Sequence, residues 1–150
     1  MSLRARLQEA TVAAMKAKDA ARLSALRMVS SSIKDREIAV RAEAGEVTDG
    51  DILALLGKMV KQRNESARAY TDGGRAELAA KELAEIKVIE EFLPRQMDAS
   101  EVEAAIASAI AEAGASSIKD MGKVMAVLKA AYTGQMDFGA VGAVLKTKLG

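Results

Sequence analysis

The sequence predicts an all-α protein, built as a four-helix N-terminal domain followed by a small three-helix C-terminal bundle. Three observations carry that prediction. Apolar residues recur with the 3.6-residue period of amphipathic helices nearly from end to end. No stretch alternates β-branched or aromatic residues with polar ones, as a half-buried strand would. The composition is that of a helical chain: 31 of 150 residues are Ala, one is Pro, four are aromatic and none is Trp.

The first helix is read from Leu3 to Lys18, with Leu3, Leu7, Ala10 and Ala14 on one face. The second runs from Ala20 to Ala44 with Leu26, Val29, Ile33 and Val40 as its apolar seam, and Gly45 sits where a C-cap glycine would end it. Thr48 or Asp49 starts the third, which continues to Tyr70. Its face is set by Ile52, Leu55, Leu56, Met59, Val60 and Arg63, and Thr48 with Asp51 approximates a capping box. Gly73 and Gly74 break the chain. The fourth helix, Arg75 to Leu93, turns Ala79, Leu83, Ile86, Ile89 and Leu93 inward.

Pro94, the single proline, disfavours helix at the residue before it and divides the chain into domains 1–94 and 95–150. Asp98, with Glu101 three residues on, caps a fifth helix that carries Val102, Ile106, Ala109, Ile110 and Ala113 and ends at Gly114. A sixth runs from Lys119 to Tyr132, apolar at Met121, Val124, Met125, Leu128 and Ala131, and ends at Gly134. Asp137 caps the last, whose inward residues are Phe138, Val141, Val144, Leu145 and Leu149.

Several function classes are excluded by what is missing. Zero His and zero Cys remove the imidazole base, the thiolate nucleophile and the usual zinc ligands. The carboxylate pairs Asp49/Asp51, Glu82/Glu85 and Glu90/Glu91 read as solvated helix surface, so neither a catalytic constellation nor a metal or cofactor site is expected. No apolar run is long enough to span a membrane. The opening helix carries Arg4, Arg6, Lys16 and Lys18, a pattern shared with organelle-targeting helices, but Glu9 and Asp19 argue against it and a cytoplasmic location is expected.

Basic residues total 22 and acidic ones 21, so any electrostatic attraction to nucleic acid must come from local rows, not from net charge. Arg27, Lys34 and Arg41 are seven apart and share one face of the second helix; Lys61 and Arg68 repeat that spacing on the third. Such rows fit a phosphate backbone, and equally fit a solvated face in which Glu37 supports Arg41 at i,i+4. A second candidate is the segment from Ser116 and Ser117 to Lys119 and Lys123. It offers a helix start to an anion, or simply a serine cap with Asp120 supplying the favourable charge.

Six segments together resemble the GatB/YqeY family in its stand-alone, YqeY-like branch. They are Leu3–Leu7 (LRARL) with Lys18-Asp19, Leu26–Val29 (LRMV), Lys61–Ser66 (KQRNES), Gly74–Leu78 (GRAEL) with Glu85-Ile86, Ile89–Met97 (IEEFLPRQM), and Asp120–Met125 (DMGKVM) followed by Gly134 and Asp137. The resemblance spans essentially the whole chain. It implies an N-terminal helical domain and a three-helix tail. The larger relative is a subunit of the tRNA-dependent amidotransferase, which converts mischarged Glu-tRNA(Gln) or Asp-tRNA(Asn), and its corresponding region engages tRNA. These 150 residues contain no counterpart of that subunit's kinase-like catalytic domain. Carbon–nitrogen ligase activity with glutamine as amido-nitrogen donor would therefore attach only by association. Gly122, Lys123 and Met125 match the family's tail motif. The resemblance makes Lys123 a tRNA phosphate contact and Gly122 a packing residue. The expected partners are tRNA, bound weakly, and amidotransferase or aminoacyl-tRNA synthetase proteins. A helical adaptor for another protein is the alternative.

Overall fold

The computed structural model describes residues 1–150. It contains seven α-helices and one short 3-10 turn, with no strand: α1 Leu3–Lys16, α2 Ala20–Arg41, α3 Asp49–Asp72, α4 Ala76–Glu90, α5 Ala99–Ala113, the turn Ile118–Asp120, α6 Met121–Tyr132 and α7 Phe138–Leu149. The protein is all-helical, and no helix is long and apolar enough to cross a membrane.

Short polar side chains start most of these helices by accepting from their unpaired N–H groups. Ser2 accepts from Ala5, Asp19 from Arg22, and Asp137 from Gly139 and Ala140. Thr48 with Asp51 and Asp98 with Glu101 form reciprocal capping boxes. The ends differ more from expectation. α1 stops at Lys16 and α2 at Arg41, because Lys18 (φ 57°) and Ala44 (φ 55°) turn left-handed. In both turns the next residue closes a six-residue ring: Asp19 N–H donates to Ala14 O, and Gly45 N–H to Val40 O. The left-handed residue at the end of α2 is thus Ala44, not Gly45. α4 ends at Glu90, and residues 91–93 continue only in tighter i→i−3 bonds ahead of Pro94.

Contacts group the chain into two compact units, Met1–Leu93 and Pro94–Gly150. The core of the first draws on Leu3 and Leu7 from α1, Leu26, Val29 and Ile33 from α2, Ile52, Leu56 and Met59 from α3, Ile89 near the end of α4, and Phe92 just beyond it. Beyond Met59, α3 continues with α4 as a hairpin whose inward residues include the small Ala67 and Ala79. Leu83, expected inside, is 48% exposed there: it flanks the narrow seam of Ala79, Ile86 and Ile89 that α4 buries. The second unit encloses Ala105, Ile106 and Ala109 of α5, Val124 and Leu128 of α6, and Val141 and Leu145 of α7. Val144 is 40% exposed and Ala131 is also exposed, so neither belongs to that core. Val47, Phe92 and Met136, all outside the helices, are buried.

Candidate nucleic-acid interface

Successive residues of an α-helix turn by about 100°, so positions 27, 31, 34, 38 and 41 fall in one sector about 80° wide. On α2 these are Arg27, Ser31, Lys34, Ile38 and Arg41, and all five are exposed. Ala25, Leu26, Val29 and Ile33 are buried on the opposite side. The row is therefore the crest of the helix, held outward by the packing of its underside. None of the three cations forms an ion pair. Glu37 does not neutralise Arg41; it turns to α1, where Arg4 Nε lies 3.0 Å from its Oε1. The second Arg4 terminal nitrogen donates to Val47 O at 2.8 Å and fixes that arrangement. Ser31 and Ile38 complete the crest, and extending the seven-residue spacing by its i+4 partners finds them in the sequence.

The start of α6 is built differently. The N–H groups of Ser116 and Ser117 donate to the Asp120 carboxylate at 3.0 and 3.3 Å. Those two bonds, Ser116 first, hold the Asp120 carboxyl below the usual range for aspartate, with Lys123 adding a smaller push in the same direction. A phosphate at these N–H groups would have to displace a carboxylate already there, which leaves Lys119 and Lys123, both exposed, as the cationic part of this site. Gly122 is not a packing glycine within this chain: a Cβ placed on it meets nothing within 4 Å.

Lys61 and Arg68 are exposed on α3. Glu85 is not a solvated surface acid. Its Oε2 accepts from Arg63 Nε at 3.2 Å, and the two side chains are only 19% and 13% exposed. Arg63 also donates to Met59 O at 3.1 Å and lies against the Met28 sulfur, so it joins α2, α3 and α4. Arg63 is recognisable as the one charge in an apolar register, but its partner lies 22 residues away across the Gly73-Gly74 turn. No group of three acidic side chains is placed to hold a metal ion.

With this geometry in view, the Yqey-like protein family matches residues 4–149. The chain belongs to the YqeY-like protein family. Curated relatives of this YqeY-like chain carry the name "Altered inheritance of mitochondria protein 41, mitochondrial". The one from Clavispora lusitaniae is 36% identical over 90 residues, covering 60% of this chain and 51% of the relative. Those from Lachancea thermotolerans and Saccharomyces cerevisiae are 32% and 29% identical over 90 residues, covering 47% and 48% of their lengths and 60% of this chain. The YqeY-like chain spans about half the length of the curated relatives it matches.

Proposed function

We propose that this YqeY-like protein is a tRNA-binding module that is not catalytic by itself. In this reading it has two domains, residues 1–94 and 95–150, and works in the cytoplasm beside tRNA-dependent amidotransferase or aminoacyl-tRNA synthetase proteins. The observation that carries the reading is the α2 crest, where Arg27, Lys34 and Arg41 stand exposed with no carboxylate paired to them. Three such cations release bound counterions when they meet a phosphate backbone, and that release supplies affinity without sequence readout. Lys119 and Lys123 add a second point of contact beside Ser116 and Ser117, whose own N–H groups are already occupied by Asp120.

Glutamine-dependent carbon–nitrogen ligase chemistry would belong to a partner, because the chain has no His or Cys and Glu85, part-buried between α3 and α4, is occupied by Arg63. The adaptor alternative is favoured by Leu78 and Leu83, which stand exposed on α4. Binding to purified tRNA, followed at rising salt, separates the two. A tRNA module binds at low salt and is released steeply as salt rises. An adaptor ignores tRNA and holds a protein partner through apolar contacts that tolerate salt.

A further inference from the structure

Resting on the tRNA reading, we infer that the α2 crest binds the backbone of base-paired RNA and not unstacked single strands. Proteins that take single-stranded RNA or splayed loops stack the bases on exposed aromatic faces inside a groove that follows the strand. This protein has four aromatic side chains, of which one is buried and three are partly buried, so none stands out as a free stacking face. Phe92 is buried beneath the Arg6 guanidinium, which sits 5.5 Å from its ring centre. Tyr132 and Phe138 pack against the core of the second unit, and Tyr70 is half-buried on α3.

Arginine planes can also stack on bases, but Arg27 and Arg41 are 14 residues apart on one helix, about 21 Å, too far to sandwich neighbouring bases. The crest is convex, so it offers no channel for a strand. Instead it presents its cations along the helix axis at about 10.5 Å intervals. Ser31, between Arg27 and Lys34, and Ala20 and Ser24 ahead of Arg27 are small enough for a sugar–phosphate edge to approach the first half of the helix closely, whereas Ile38, 56% exposed, stands between Lys34 and Arg41. Duplex RNA presents such an edge along its wide, shallow minor groove, with phosphates and 2′-hydroxyls held in fixed positions. A hydroxyl such as that of Ser31 can bond to either group.

The test is competition against labelled tRNA bound to the full chain. One competitor is an RNA duplex of about 20 base pairs, comparable to the span of duplex-binding domains. The others are oligo(U) and oligo(A) carrying the same number of phosphates. The duplex should compete about tenfold better per phosphate, because the single strands gain nothing from stacking here. A variant with Arg27, Lys34 and Arg41 all changed to Ala should lose that preference. Equal or better competition by either single strand overturns the inference while leaving tRNA binding intact. If labelled tRNA does not bind even at low salt, the tRNA reading and this inference fall together.

Discussion

At the scale of single residues, two side chains matter for reasons that a periodic pattern alone does not supply. Ala44 sits in the left-handed region at φ 55°, where its Cβ crowds the following carbonyl. Glycine has no such clash, although it surrenders more freedom on folding. Ala44→Gly should therefore stabilise the protein by about 0.5–1 kcal/mol, read as a higher urea midpoint; a lower midpoint would contradict the assigned turn. Arg63 is the other. Removing it leaves Glu85 mostly shielded without its partner and removes the donor to Met59 O. Arg63→Ala should cost about 2 kcal/mol, with Glu85→Gln costing less because the amide can still accept a hydrogen bond. A double-mutant cycle checks this, and additive effects would mean that the two groups do not interact. The periodic pattern revealed that Arg63 faces inward. It could not reveal Glu85 or the Arg4–Glu37 pair, because both are tertiary contacts between residues distant in the chain.

At the scale of elements, all seven helices were legible because each has a 3.6-residue stripe bounded by a cap, a glycine break or Pro94. Their C-terminal ends were less so. Lys18 and Ala44 end helices in a conformation that residue type alone does not announce, whereas Gly114 announces it plainly. Leu83 and Val144 lie in apolar registers yet remain exposed, because a stripe marks which face a helix prefers but not how wide a neighbour covers it. The helix starts carry a pH dependence. The carboxyl of Asp51 is lowered chiefly by the Thr48 N–H, that of Glu101 by Arg95 and then the Asp98 N–H, and that of Asp120 by the Ser116 and Ser117 N–H groups. A carboxyl with a lower pKa in the folded than in the unfolded state adds stability above its unfolded pKa, about 4, and loses it as pH falls through the folded value. Melting temperature should stay nearly level from pH 7 to about 5 and fall below about 4. A melting temperature that held steady or rose down to pH 3 would contradict this role for the three caps.

At the scale of the whole molecule, near-neutral net charge conceals a local asymmetry. The α2 crest carries three unpaired cations, while the nearby Glu37 is engaged with Arg4. The sequence placed Arg27, Lys34 and Arg41 on one face, but only the fold separates an unpaired row from one neutralised by its own helix. It also changes the meaning of the Ser116–Lys123 segment, where Asp120 already occupies the N–H groups. In the proposed function the crest binds tRNA through phosphate contacts. The most direct measurement is tRNA affinity against salt for the wild type and for the Arg27/Lys34/Arg41 triple-alanine variant. Three crest contacts, with Lys119 and Lys123 bringing the total to five, give a log–log slope of about −2.7 to −4.5 at roughly 0.9 per phosphate. The triple variant should bind every tRNA more weakly and flatten the slope by about 2.7. Identical affinity and slope for the two proteins, or no binding by the wild type at low salt, would contradict it.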